Sequence, residues 1–279
     1  MQSKFLVALA LTGLAGGSSS KPLDPPSPVP GTQRHYGSAV ALGKGEARTY
    51  VTVDPRTGAT TEVGVALDQA ALEGLPAAGS QGGGGHEHHD SYLLSLPAPN
   101  RTPYQFVELN WNPNGHGGPY TAPHFDFHFY RVPLADRDAI DPTTPDFAAR
   151  AAHLPPSDLF PAGYVSSHLL MKLTPAEAAV PKMGLHWIDT SAPELPPTNQ
   201  PFTATFIVGS WDGKVIFDEP MITRDYILAQ RSKRTATEFA VATTRRSSPA
   251  GFYLTGYRLS YDAQWKEYRI ALTGLGLPD

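Results

Sequence analysis

The chain has 279 residues, of which 41% are hydrophobic and 17% are charged, so it can bury a substantial core and is not a disordered polymer. Its 22 Lys and Arg residues are outnumbered by 26 Asp and Glu residues, and the resulting net charge of -4 argues against nucleic acid as a partner. The sequence contains no Cys, which excludes disulfides, thiolate metal sites and a cysteine nucleophile.

The N-terminal residues predict an export signal. Lys4 precedes an apolar run over residues 5–15, and the small residues Gly16 and Gly17 follow it. The run is shorter than the roughly 20 residues that a membrane-spanning helix needs. We therefore predict a signal peptide over residues 1–17 and an exported product, periplasmic or extracellular, without a membrane span.

The rest of the chain is divided by composition into two parts. Residues 18–34 are rich in Ser and Pro, which favours an extended linker that offers no apolar face. Residues 35–279 are predicted to form a single β-rich domain, because short apolar runs separated by turn residues recur throughout them.

The domain opens with a predicted hairpin. Apolar side chains alternate through residues 47–53 and again through residues 61–65, and the turn between them contains Pro and Gly. Asp68 then caps a short helical stretch over residues 69–75. Further strands are predicted at residues 92–96, 104–111, 124–131, 183–188, 202–211, 215–217, 235–242, 252–261 and 265–272.

Turns and short helices complete the predicted fold. Asp212-Gly213 lies between two apolar runs and predicts a two-residue hairpin turn. Short helices are predicted at residues 145–152, 175–180 and 223–230. Sequential strands joined by turns pair antiparallel, so we predict a mainly β fold, an antiparallel β-sandwich or barrel with a few short helices.

The most informative segment is residues 123–130, which read Pro-His-Phe-Asp-Phe-His-Phe-Tyr. Side chains alternate between the two faces of a strand, so the Phe residues line one face while His124, Asp126 and His128 line the other. Imidazole and carboxylate groups are typical ligands of divalent transition ions, and this face therefore predicts a metal site. The candidate ions are Zn, Mn, Fe, Ni and Cu.

Strand geometry restricts how these residues can share an ion. His124 and His128 would lie about 13 Å apart along a regular strand, which is too far for both to bind one ion. Asp126 can share an ion with His124 or with His128. Either pair supplies only two ligands, so a mononuclear site needs further ligands from another strand. We expect them from His186, in the segment Met-Gly-Leu-His-Trp, and from Glu219, in the segment Phe-Asp-Glu-Pro-Met.

Three functions stay open for this polar face. It can hold a metal ion, and the sequence leaves open whether the protein is then an enzyme. In an enzyme, an ion with an open coordination position would polarise a carbonyl group or activate water, with Glu219 or Asp189 as base. It can instead be a structural hydrogen-bond network in a non-catalytic envelope protein whose aromatic strands form homo-oligomer contacts. It can also line a polar interior that binds an organic small molecule without a metal.

Other polar groups carry weaker signals. His116 lies in a loop rich in Gly and Asn, where a solvated side chain is favoured over a ligand role. The His-rich tract at residues 86–90 is interpreted as a weak binder of divalent ions or as a solvated loop. A solvated surface is favoured over an anion site for the basic residues Arg224, Arg231, Lys233, Arg234, Arg245 and Arg246.

Several of these motifs occur together in a known pattern. The chain resembles an uncharacterised family of exported bacterial proteins with a domain of unknown function. The matching parts are the phrases PHFDFHFY and MGLHW, the loop at residues 111–116, and the segments at residues 48–51, 71–76 and 209–221. The family's loop usually reads Asn-Pro-x-Gly-His-Glu-Pro, whereas this chain has Gly117-Gly118 in place of Glu-Pro. The resemblance, over roughly residues 38–230, implies one fold and export, and it implies no particular reaction.

Overall fold

The computed structural model describes residues 31–77 and 90–276. The predicted signal peptide, most of the predicted linker and the His-rich residues 86–89 lie outside this range. Within it the strands are β1 (Gln33–Tyr36), β2 (Val40–Leu42), β3 (Gly45–Val53), β4 (Thr60–Asp68), β5 (Asp90–Ser95), β6 (Phe106–Asn112), β7 (His124–Tyr130), β8 (Tyr164–Ser166), β9 (Leu185–Asp189), β10 (Ala204–Trp211), β11 (Lys214–Thr223), β12 (Thr237–Ala240), β13 (Gly256–Asp262) and β14 (Glu267–Thr273). The α-helices are α1 (Leu134–Asp138), α2 (Phe147–Ala152), α3 (Ser167–Met171), α4 (Pro175–Ala178) and α5 (Arg224–Ala229), and 3-10 helices occur at Gln69–Leu72, Ser157–Leu159 and Gln230–Ser232.

The strands form two seven-stranded sheets with antiparallel pairing. The first sheet has the order β1-β3-β4-β14-β13-β12, with β2 paired to β3. The second sheet has the order β5-β6-β7-β11-β10-β9-β8. The predicted mainly antiparallel β fold with a few short helices is confirmed, and of its two alternatives the structure has the sandwich.

Local turns and caps follow the sequence signals. The Asp68 side chain accepts a hydrogen bond from the Ala71 N–H at 2.7 Å and begins the 3-10 helix after β4. Asp212 and Gly213 join β10 to β11 with φ values of 46° and 74°, the positive pair that a two-residue hairpin turn requires. Strand β11 is longer than the predicted strand at residues 215–217, because its pairing with β10 continues past Pro220 to Ile222.

Strand β7 separates an apolar face from a polar one. Phe125, Phe127 and Phe129 are fully buried between the two sheets, where they belong to the same core as Val51 and Val63 of the first sheet. The alternate side chains of β7 therefore lie on the outer face of the second sheet. Burial of aromatic side chains between the sheets thus fixes which face of β7 carries its polar residues.

The outer face of the second sheet is covered by the segments that join its strands. Phe147 of α2 packs in one apolar cluster with Phe217 of β11, and Tyr120 and Phe202 pack with Met221 in another. All described helices are short, and none is long and apolar enough to cross a lipid bilayer. These covering segments bury the polar row of β7 away from solvent.

Candidate metal centres

A row of buried polar side chains runs across the outer face of the second sheet. Cross-strand pairing places β6 residues directly beside those of β7, and β11 borders β7 on its other side. None of these side chains is more than 4% exposed. Buried polar groups need partners, so the row is satisfied internally or by a ligand. It comprises Glu108, Asn110, Asn112, His124, Asp126, His128 and Glu219.

His116, His124 and Asp126 form one compact cluster, the first triad. The Nε2 atom of His124 lies 3.0 Å from Nε2 of His116 and 3.3 Å from Oδ1 of Asp126. Nε2 of His116 lies 3.4 Å from Oδ2 of Asp126. One ligand atom from each residue lies within 4.8 Å of the other two, so the three groups are positioned to hold a metal ion.

Neighbouring groups orient the first triad. The Nδ1–H of His124 donates to the Ala122 carbonyl at 2.6 Å, which leaves Nε2 as the ring nitrogen that faces His116 and Asp126. Asn112 Nδ2 donates to Asp126 Oδ2 at 2.7 Å. In metal sites such outer contacts fix the tautomer and the direction of the ligands.

Charge pairing sets the protonation of the first triad. Burial alone would raise the pKa of Asp126, but His124 and His116 outweigh burial and hold this pKa well below its usual range. Burial alone would lower the pKa of His124, and Asp126 outweighs that effect and raises it. A metal ion bound here would take the place of the proton on His124, because a metal ligand must be deprotonated.

His128, His186 and Glu219 form the second triad. Glu219 Oε1 lies 3.5 Å from His128 Nε2, and Glu219 Oε2 lies 3.9 Å from His186 Nε2. One ligand atom from each residue again lies within 4.8 Å of the other two. Burial and, to a smaller degree, the charge of Asp126 raise the pKa of Glu219 well above its usual range. The second triad therefore favours a protonated acid unless a cation is present.

The second triad takes its residues from β7, β9 and β11, and β10 lies between β9 and β11. At this level β10 has a glycine, so no β10 side chain separates His186 from Glu219. Gly209 of β10 pairs with His186 on β9 and with Phe217 on β11. A Cβ atom at Gly209 would lie 2.2 Å from the Phe217 ring, so the ring occupies the space above this glycine. That ring packs edge-on against His128 and His186, with centroids 4.8 and 5.5 Å away, and so positions both imidazoles.

A third carboxylate in the row is neutralised by a cation. Glu108 is the cross-strand neighbour of His128, and its carboxylate forms an ion pair with Arg137 of α1. Glu219 has no such partner: among the described residues its ion-pair contacts are with His128 and His186. This difference explains why Glu219, and not Glu108, is available as a metal ligand.

The five ligands predicted from the sequence all lie on this face, but in two groups. His124 and Asp126 belong to the first triad, whereas the second triad takes the other three predicted ligands. This division agrees with the strand geometry, since His124 and His128 lie about 13 Å apart along a regular strand. The structure thus places the five predicted ligands in two adjacent groups.

The structure also places two other residues that the sequence analysis named. His116, which was favoured as a solvated residue, has a side chain only 25% exposed and completes the first triad. Its signal was its place in a short loop that leads directly into β7. Asp189, the alternative base, accepts hydrogen bonds from the backbone and hydroxyl of Ser191 and belongs to neither triad.

Comparison with known proteins gives one partial match. A family model described as TTHB210-like, hypothetical protein TTHB210, matches residues 56–111, which include β4 and end within β6. No curated protein and no solved structure matches the chain. The match supports the resemblance to an uncharacterised family over that segment, which contains none of the triad residues.

Proposed function

We propose that this protein binds divalent transition-metal ions at the first and second triads. The observation that carries the proposal is that two neighbouring groups each bring two imidazole nitrogens and one carboxylate oxygen within 4.8 Å of one another on a buried face. Two His and one carboxylate form a ligand set that Zn and Fe use, and Mn, Ni and Cu also accept it.

The number of ligands favours sites that stay open to a further molecule. Structural zinc sites are closed by four protein ligands, whereas catalytic ones use three and leave a position for water or substrate. Each triad supplies three, so a bound ion would keep an open position. That ion would act as a Lewis acid or would activate a bound water molecule.

Solvent reaches each triad through one of its histidines. The side chains of His116 and His186 are 25% and 17% exposed, whereas their four partners are at most 2% exposed. An ion can therefore arrive at the exposed imidazole while the buried groups hold it from below. A water or substrate molecule would reach such an ion from the side of the exposed imidazole.

Elemental analysis of the protein, purified without a His tag and loaded with each candidate ion, tests the proposal. We expect about two ions per chain in the wild type, one in His124→Ala, one in His186→Ala and none in the double variant. A chain that binds no ion after incubation with Zn, Mn, Fe, Ni and Cu salts would refute the proposal. Variants that lose thermal stability with no ion to lose would then support the structural hydrogen-bond network.

Two controls separate the triads from other histidines. His153 is an exposed residue paired with Asp212, and His153→Ala should keep both ions. Replacement of His86, His88 and His89 by Ala removes the His-rich tract and should also keep both ions. Loss of an ion in either control would assign that ion to a different site.

Export, a small-molecule ligand and homo-oligomer formation stay predictions.

A further inference from the structure

A second site of different chemistry lies between the 3-10 helix after α5 and the turn that joins β13 to β14. It is an open pocket of about 610 Å³, lined by Arg231, Lys233, Arg234, Lys266, Tyr261 and Gln69 among others. Its size exceeds what one inorganic phosphate needs and falls in the range of sites for small organic ligands. None of its lining residues belongs to either triad.

The pocket concentrates positive charge in a protein whose net charge is negative. Four of the described residues that line it are cations, and none of the described lining residues is acidic. Among the described residues, none of the four forms an ion pair with a carboxylate, whereas Arg258 and Arg269 each do. Cations gathered in a concave surface without counter-charges create a positive potential that attracts anions.

The acidic side chain at the end of β13 is engaged away from the pocket. Asp262 precedes the β13–β14 turn, and its Oδ2 lies 2.7 Å from Arg269 Nη1. Its Oδ1 accepts hydrogen bonds from the backbone N–H groups of Gln264 and Trp265. The charge of Asp262 therefore supports the turn and is not directed at the four cations.

The pocket is built on ordered contacts. Tyr261 donates a hydrogen bond to Gln69 Oε1 at 3.0 Å, and the guanidinium carbon of Arg231 lies 5.9 Å from the centre of the Tyr261 ring. Lys233 Nζ donates to Thr237 Oγ1 at 2.8 Å. These contacts hold Arg231 and Lys233 at the pocket, so less entropy is lost when an anion binds.

We propose that this pocket binds an anion that carries two or more phosphate groups. Four cations match more negative charge than one carboxylate supplies, and the planar guanidinium groups of Arg231 and Arg234 suit paired hydrogen bonds to phosphate oxygens. Trp265, on the same turn as Lys266, is 58% exposed and offers an apolar surface beside the pocket. The proposal is independent of the metal sites.

Calorimetric titration with pyrophosphate at low ionic strength tests this site. We expect binding in the wild type, and a loss of affinity of about tenfold or more in Arg231→Gln/Lys266→Gln, because two of four cations are removed. The matched control Lys172→Gln/Lys214→Gln removes two cations outside the pocket and should leave the affinity unchanged. Equal weakening in both double variants would overturn the proposal.

Two further arms identify the source of the phosphate groups. Pyrophosphate also binds metal ions, so the titration is repeated in His124→Ala/His186→Ala, where binding must persist. Co-sedimentation with phosphatidylcholine vesicles, with and without phosphatidylglycerol, tests a lipid surface. Binding to anionic vesicles that requires Arg231 and Lys266, without affinity for pyrophosphate, assigns the phosphates to lipid headgroups. No binding in either arm would refute the site.

Discussion

His128 and Glu219 face each other across adjacent strands, with 3.5 Å between Nε2 and Oε1. The pairs on either side, Tyr130 with Phe217 and Asp126 with Met221, set this register. The second triad therefore depends on β11 extending beyond the hairpin turn far enough to include Glu219. A buried acid beside two imidazoles is costly to ionise without a cation. Removal of the Glu219 carboxyl group should therefore raise the stability of the metal-free protein and weaken metal binding.

We predict that Glu219→Gln stabilises the metal-free protein at neutral and higher pH. Burial, followed by the charge of Asp126, raises the pKa of Glu219 in the folded state above its unfolded value. The folded state then holds a proton that the unfolded state has lost, so stability falls as pH rises from the unfolded pKa through the folded pKa. A neutral amide removes that loss.

Urea unfolding of chelator-treated protein at several pH values measures the effect. Glu219→Gln should exceed the wild type in free energy of unfolding at about pH 8 and approach it at about pH 5, since both side chains are then neutral. The same variant should lose the ion of the second triad. The prediction would be contradicted if the free energy of unfolding of the wild type fell no more steeply than that of Glu219→Gln as the pH is raised.

Asn112→Ala should weaken metal binding at the first triad only. Asn112 donates to Asp126 at 2.7 Å, and outer-sphere contacts of this kind contribute about 10- to 100-fold in metal affinity. Competition with a chromophoric chelator measures the affinity. Asn110→Ala is the matched control, because Asn110 pairs with Asp126 across the strands but donates to Ser91 Oγ at 2.6 Å. Equal losses in both variants would show that Asn112 has no specific role.

Periodicity predicted much of this site, and tertiary contacts decided the remainder. Alternation through residues 123–130 placed the Phe and His faces of β7, and the strand rise separated His124 from His128. No local pattern indicates that Arg137 neutralises Glu108, since a helix and a distant strand meet only in the folded chain. Loop conformation likewise decided that His116 reaches Asp126.

The same limit applies to the basic residues near the C terminus. Sequence proximity grouped six of them, but the fold divides the group. Arg246 lies 2.8 Å from Asp158, whereas Arg231, Lys233 and Arg234 line the cationic pocket. Lys266 joins them from the β13–β14 turn, more than 30 positions away in the chain. Charge clusters formed by different elements cannot be recognised from spacing alone.

Phe127→Ala should reduce stability without removing either ion. Phe127 is fully buried between the sheets, and truncation of a buried Phe typically costs about 3–5 kcal/mol. The neighbouring Asp126 points to the opposite face, and Asp126→Ala should lose the ion of the first triad. Urea unfolding and elemental analysis measure both effects, with Phe127→Leu as a milder variant. Loss of metal from folded Phe127→Leu would mean that the two faces of β7 are not independent.

Gly209→Ala should empty the second triad and leave the first intact. The added Cβ would lie 2.2 Å from the Phe217 ring, which is fully buried and packs against His128 and His186. Displacement of that ring should cost about 1–3 kcal/mol and misalign both imidazoles.

The control for this substitution is Gly117→Ala, because among the described residues no heavy atom beyond the two chain neighbours lies within 4 Å of a Cβ placed there. We expect the control to keep the stability and both ions of the wild type. Elemental analysis should give about one ion per chain in Gly209→Ala, bound by the first triad. Two ions in a folded Gly209→Ala protein would show that Phe217 does not position the second triad, because the ring would then have moved without any consequence for its ligands.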